Sequence, residues 1–440
     1  MKKSMQFLFT TWEGGGNIPP ALEVVRKLIA AGHRVRVMSD ECNRPEAEAV
    51  GATFIPWQRA PSRRDRSPES QAYRDWAAAT PPEGLMMVIR DTWCGPALAY
   101  AQDVIAELRR APADLVVNSE VLFGVTAACE SVGQKVVLFS PNICFAPLPG
   151  VPPLGPGLPP ARNEAESTLH AQIAAQATGL FDSGLPALNA ARAALGLKPL
   201  AHLVEQFHAA KLTLVGTSRA FDFPCSALPA DIRYVGPQIA DPGWTKAWTS
   251  PWSHADQRPL VVVSFSTTFQ NHAAVLQKVI DAFAALPARV LVTLGGAIRA
   301  GDLRPAENCL LVESAPHSVV MPQAALVVTH GGHGTVMRAL VSRAPMLLVP
   351  HGRDQNDNAV RVTERGAGLS LMPDASVEAI RAAGGRLLTE PAFRAAAKDL
   401  GDLVAAEAEN STIIAELEAA AEPATRTRSH ETVALAGSRS

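Results

Sequence analysis

The chain has 440 residues, 47% hydrophobic and 19% charged, with 40 Lys+Arg against 42 Asp+Glu and a net charge of −2. That apolar content excludes a wholly disordered chain, and a balanced charge argues against a nucleic-acid partner, which needs a basic surface. At about 150 residues per domain, two or three domains are expected.

The N-terminus carries Lys2 and Lys3 before MQFLFTT, which imitates a leader. Thr10 and Thr11 interrupt that apolar run, Gly14–Gly16 end it, and no small-residue cleavage site follows. Residues 5–11 instead read as a buried strand running into a glycine loop. Pro19 then suits the first turn of a helix, with Leu22, Val25, Leu28 and Ile29 at helical spacing up to Gly32. Val35 and Val37 open a second strand that ends near Asp40. Strand, helix and strand make a βαβ unit and hence a parallel sheet covered by helices. The pattern continues with a strand at 115–117, a helix at 123–132 and a strand at 136–139.

Residues 147–160 hold seven prolines in fourteen positions, so they form a long, stiff loop. A helical stretch at 161–208 breaks at Gly184–Pro186, and LTLV at 212–215 reads as a strand. Residues 236–258, rich in Pro, Gly, Ser and Trp, read as an interdomain linker. A second series follows: strands at 260–265, 289–294, 309–313, 325–329 and 346–350, with helices near 273–286 and 332–342. The expected organisation is therefore α/β. A first Rossmann-like unit spans 1–235, a second spans 259–421, and a disordered tail spans 422–440. No apolar run approaches the roughly 18 residues of a membrane span. The six cysteines form no CxxC pair, which points to a reducing, cytoplasmic setting.

The strongest chemical signal is THGGHGTVMRAL at 329–340. His330 falls at the C-terminal edge of a strand, and Gly331, Gly332 and Gly334 line the turn into a helix that includes Thr335. Free amides and the helix dipole make this an anion site, and the glycines let a phosphate come close. One strand later, Asp354 and Gln355 stand just beyond a strand end, where open α/β sheets bind ligands. A carboxylate beside a carboxamide can both accept from and donate to neighbouring hydroxyls. No DxD occurs anywhere, so the usual carboxylate pair for a diphosphate-bound cation is missing.

HGGHGT, ALVSRAPMLLVP and DQNDNA together resemble the donor signature of the two-domain (GT-B) family 1 glycosyltransferases. The match is to the bacterial branch of antibiotic and flavonoid glucosyltransferases, related to the UDP-glucuronosyl- and UDP-glucosyltransferases. GGGNIPPALEVVRKLIAAGHRVRV resembles the family's opening motif, and VVVSFSTT the turn beneath its diphosphate. The resemblance implies two Rossmann-like parallel-sheet domains facing across a cleft, and an inverting, metal-independent hexosyl transfer without cofactor. The donor would be a UDP- or dTDP-sugar, and the acceptor a small lipophilic or aromatic molecule. It places His330, Gly332, His333, Gly334, Thr335 and Thr267 at the diphosphate, His317 near the base, and Asp354 and Gln355 on the sugar. The acceptor pocket falls to the first unit, in a monomer or homodimer, lined by the proline loop and the helices after it.

Three departures matter. The family's catalytic His is Asn17 here, and an amide cannot act as a base near neutral pH. The Asp that orients that His is replaced by Ser119, beside Glu120. Glu13 in the glycine loop and Glu120 are the substitute bases, although an exposed loop carboxylate is the commoner reading of each. Arg338 stands where the family's ribose-gripping Glu falls, and Ser314 where an aromatic stacks on the base. These losses leave a second reading open, a catalytically retired nucleotide-sugar-binding helper. The four arginines of RAPSRRDR (59–66) read as a solvated basic loop or as steering for an anionic acceptor. A nicotinamide dehydrogenase fails on Pro19, where GxGxxG requires glycine.

Overall fold

A computed structural model describes residues 4–71, 73–243, 245, 247–253, 255–265, 270–295 and 298–423. The first sheet contains β1 (Gln6–Thr10), β2 (Arg34–Ser39), β3 (Thr53–Pro56), β4 (Leu115–Ser119), β5 (Val136–Ser140), β6 (Thr213–Val215) and β7 (Ile232–Tyr234). Its order is β3-β2-β1-β4-β5-β6-β7. The second contains β8 (Leu260–Ser264), β9 (Arg289–Thr293), β10 (Cys309–Val312), β11 (Ala324–Thr329), β12 (Met346–Leu348) and β13 (Gly368–Ser370), ordered β10-β9-β8-β11-β12-β13.

Every strand pair is parallel. Parallel strands need helical crossovers, which cover both faces, and this is why runs such as LVVVS and VVLFS are buried at every position. The fold class is as the sequence leads one to expect. In each sheet the strand order reverses once, between β1 and β4 and between β8 and β11. These are the points where the strand ends open a crevice for ligands.

The helical stretch after the proline loop resolves into Glu164–Phe181, Leu185–Ala194 and a 3₁₀ segment Leu203–Ala209. The two units meet through a buried ion pair, Arg361 with Asp222, whose side chains are only 3% and 2% exposed. Tyr234 Oη donates to the same carboxylate at 2.7 Å. Trp248 and Trp252 of the linker pack on the second core, whereas Trp244 lies outside the described residues.

One element departs from the expected division. The helix Ile413–Ala421, counted by sequence with the second unit, lies on the first sheet, where Ile413 and Leu417 pack with Phe7, Leu28 and Leu115. Lys135 Nζ donates to the Ala421 carbonyl at 3.1 Å and holds the end of that helix. Of the tail, 424–440 lie outside the described residues.

Candidate active site

The glycine turn of the motif is built at the β8/β11 reversal. β11 ends at Thr329, His330 follows, and the helix His333–Val341 begins behind Gly332. Gly331 has φ 91°, and a Cβ there would stand 3.1 Å from the Gln355 carbonyl. A Cβ on Gly332 would lie 2.5 Å from His330 Nε2, so the imidazole rests on the bare α-carbon. The amides of Thr335 and Val336 turn back to the Gly332 carbonyl. The amides of Gly332 and Gly334 bond to no described residue, which leaves them for an anion at the positive end of the helix.

Phe265, just after β8, gathers three imidazoles. His330 and His272 stack near its ring at 6.0 and 5.6 Å, and His351 meets it edge-on at 5.9 Å. His330 bonds the backbone of Ser264, and burial holds its pKa well below the usual histidine range. Burial pushes His272 down to about 4. Both rings are therefore neutral at pH 7. Among the described residues, the buried Nε2 atoms of His272 and His351 have no partner. Neither histidine was singled out from the sequence, because nothing in its spacing ties it to the glycine turn. Thr267, expected at the diphosphate, lies outside the described residues.

His333, grouped with the donor residues by the motif, has its ring on the first unit. Its Nε2 lies 2.7 Å from Thr217 Oγ1, and burial pushes its pKa to about 3. His317 Nε2 lies 3.1 Å from Ser264 Oγ, and burial, then the charge of Arg338, lowers it to about 4. Arg338 donates to the Gly334 carbonyl at 2.9 Å and to the linker carbonyl of Ala240.

Asp354 is half-buried, faces the His333 amide and accepts from Asn358 Nδ2 at 2.8 Å. The same Nδ2 donates to the Gly331 carbonyl at 3.0 Å, so Asn358 fastens the glycine turn to the DQ turn. Asn358 was not picked out from the sequence, although its place one helical turn after Asp354 is a usable signal. Gln355 is buried. Its Oε1 accepts from the His351 amide at 2.7 Å and its Nε2 donates to Gln270 at 2.9 Å.

The facing side is built at the β1/β4 reversal. Asn17 Oδ1 accepts from Gly14 N at 3.1 Å, and its Nδ2 donates to the Trp12 carbonyl at 2.8 Å and to Thr11 Oγ1 at 3.3 Å. The amide thus staples its own loop. Glu13 and Glu120 are not the exposed carboxylates that their loop positions suggest, being 3% and 6% exposed. Glu13 accepts from Gly15 N at 2.7 Å and from Arg66 Nε at 3.1 Å. Arg66 also reaches Glu46 and Asn43 and is drawn into the fold, whereas Arg59 pairs with Asp103 at 3.4 Å and stays exposed.

Glu120 differs from Glu13. It has no cationic partner among the described residues, and burial pushes its pKa to about 8 against the pull of Ser140. Ser140 Oγ lies 2.8 Å from Glu120 Oε1 and 3.2 Å from the Ile143 carbonyl. A hydroxyl has one proton. With Glu120 ionised, Ser140 donates to it. With Glu120 protonated, the carboxyl donates to Ser140, which turns its proton to Ile143. The carboxyl therefore keeps a hydrogen-bond partner in either state, and the Ile143 carbonyl gives up its donor when Glu120 is ionised.

The same domain gathers an aromatic cluster. Phe145 packs on Trp93 at 5.8 Å, on Phe181 at 4.9 Å and on Phe207 at 5.9 Å. Trp93 meets Trp12 at 6.4 Å, and Trp12 meets Tyr73 at 6.3 Å. Among the described residues, Trp93 Nε1 is buried without a partner.

Two parallel-sheet α/β domains, each with a single reversal of strand order, have the GT-B architecture. Residues 277–420 match the family model of the erythromycin biosynthesis protein CIII-like C-terminal domain. The chain is 30% identical to 4'-demethylrebeccamycin synthase of Lentzea aerocolonigenes over 410 residues, covering 91% of this chain and 95% of that protein. Identity to the demethyllactenocin mycarosyltransferase of Streptomyces fradiae is 27%, covering 86% and 78%. The fold is similar to the glycosyltransferase of kitacinnamycin, with a TM-score of 0.74 and 19% identity over 96% and 100% of the two chains. It is also similar to the glycosyltransferase VinC in complex with dTDP, with a TM-score of 0.63 and 22% identity over 95% and 99%. The chain belongs to the GT-B antibiotic glycosyltransferases.

Proposed function

We propose that this glycosyltransferase moves a hexose from a dTDP- or UDP-sugar to a small lipophilic or aromatic acceptor, in one inverting displacement that needs no metal. The observation that carries the reading is the pairing of two dissimilar crevices. The glycine turn at His330–Gly334 offers amides and a helix N-terminus to a diphosphate, and the half-buried rings of Trp12, Trp93 and Phe145 offer apolar surface to an acceptor. The dTDP bound by the structural relative VinC favours a thymidine diphosphate.

In the reaction, the acceptor nucleophile attacks the anomeric carbon from the face opposite the leaving group. The bond from that carbon to the diphosphate oxygen breaks, and its electron pair stays on the diphosphate. Preorganised amides at the turn stabilise that charge, the part a divalent cation would otherwise play. The acceptor proton passes to Glu120, whose raised pKa suits a base working near neutral pH. Asp354 and Gln355 hold the sugar hydroxyls, and Gln355 must exchange its bond to Gln270 to do so.

The experiment is a panel of nucleotide sugars read first by thermal shift and then by product formation with phenolic acceptors, with and without EDTA. Stabilisation by dTDP- or UDP-sugars and EDTA-resistant transfer are expected. Turnover lost in EDTA and restored by magnesium refutes metal independence. One observation favours the helper reading: Asn17, at the base position, is wholly engaged within its own loop. A helper binds the nucleotide yet neither transfers nor hydrolyses the sugar.

A further inference from the structure

The turn that carries Asp354 and Gln355 is gripped from both sides by the other domain. Gly352 has φ 135° and Arg353 has φ 56°. A long side chain in the left-handed region persists only where its surroundings over-determine it. Those surroundings are on the first domain. Arg353 Nε donates to Asp75 Oδ2 at 2.8 Å, and Nη2 donates to Asp75 Oδ1 at 3.1 Å, a two-pronged pair with defined direction. The guanidinium also lies 5.9 Å from the ring of Tyr73, which belongs to the aromatic cluster.

On the far side of the same turn, Asp357 accepts from Gly155 N at 2.7 Å and from Gly157 N at 3.3 Å, both in the proline loop. Asn356 Nδ2 returns a bond to the Gly155 carbonyl at 3.3 Å. Gly157 has φ 70°, and a Cβ there would fall 2.6 Å from the Asn356 carbonyl. The proline loop therefore lies in direct backbone contact with the turn.

We propose that Arg353 and Asp357 are positioning residues that latch the Asp354–Gln355 turn to two acceptor-side loops, 73–77 and 150–158, so that turn and loops move as one body. The pairs set the sugar against the aromatic cluster. They also carry the arrival of the nucleotide, which binds the second domain, to loops of the first. The proposal rests on the donor reading above.

Hydrogen exchange on the full chain tests it, with dTDP and UDP as probes. In the parent, nucleotide at saturation should slow exchange at least tenfold in 73–77 and at Gly155 and Gly157, although these lie on the other domain. Asp75→Asn should abolish the effect in 73–77 and leave nucleotide affinity within twofold by calorimetry. Asp75→Glu should recover it, as should exchanging the two charges (Arg353→Asp with Asp75→Arg), which a merely space-filling role would not allow. Gly157→Ala should abolish the effect at the proline loop alone. The latch is overturned if bound nucleotide leaves both loops unprotected in the parent. It is equally overturned if Asp75→Asn retains full protection, or if affinity, protection and melting temperature all fall together. Absence of any nucleotide binding in the parent removes the donor reading itself, and the latch with it.

Discussion

Glu13 and Glu120 are both buried near the facing loops, but their partners differ. Glu13 is held by an arginine and an amide, whereas Glu120 is met by a serine that tolerates either of its states. Glu120→Gln should therefore slow transfer by about 10²–10⁴-fold with nucleotide affinity unchanged, measured by steady-state kinetics and calorimetry. The parent rate should climb with pH and level off above about 8. Stability carries the same signature with its own sign. An acid whose folded pKa lies above its unfolded value holds extra protons in the native state between the two. Stability falls as pH rises across that window, up to about 8 for Glu120. Glu120→Gln should flatten the decline in melting temperature between neutral pH and pH 8. Asn17→Ala should behave otherwise. It removes a loop staple and should lower melting temperature and rate together, with an unaltered pH profile.

At the level of elements, the turn after β11 depends on a residue without a side chain. Gly331 combines φ 91° with a neighbouring carbonyl 3.1 Å from where a Cβ would stand. Gly331→Ala should weaken nucleotide binding at least tenfold by calorimetry while helical circular dichroism persists. This turn was legible in the sequence because strand, glycines and helix are contiguous, and a contiguous motif survives one-dimensional reading. The edge strands were not. β3, β7 and β13 close the sheets at three of their four ends, and their half-exposed sequences TFIP, IRY and GLS lack the unbroken apolar run of a central strand. The aromatic cluster was equally illegible. Tyr73, Trp93, Phe145, Phe181 and Phe207 come from five separate segments, and only the fold brings their rings together. Arg353 stands beside the DQ pair in sequence, but its partner Asp75 is 278 residues away.

For the molecule as a whole, the helix Ile413–Ala421 matters out of proportion to its length. Ile413 and Leu417 are fully buried against the first sheet. Leu417→Ala should destabilise the protein by about 2–5 kcal/mol in denaturant titration, the usual range for a leucine truncated in a core. The loss should appear first as faster amide exchange in β1 and β4, which lie beneath that helix, rather than in β8 and β11. A consequence reaches back to how the protein is made. A chain leaves the ribosome N-terminus first, and its domains ordinarily fold in that order. Here part of the first domain's apolar face stays uncovered until Ile413–Ala421 has been translated, through the synthesis of its neighbour. A nascent chain released after about residue 235 therefore carries an uncovered greasy surface suited to chaperones. Supplying 411–423 in trans as a peptide should keep that fragment from aggregating.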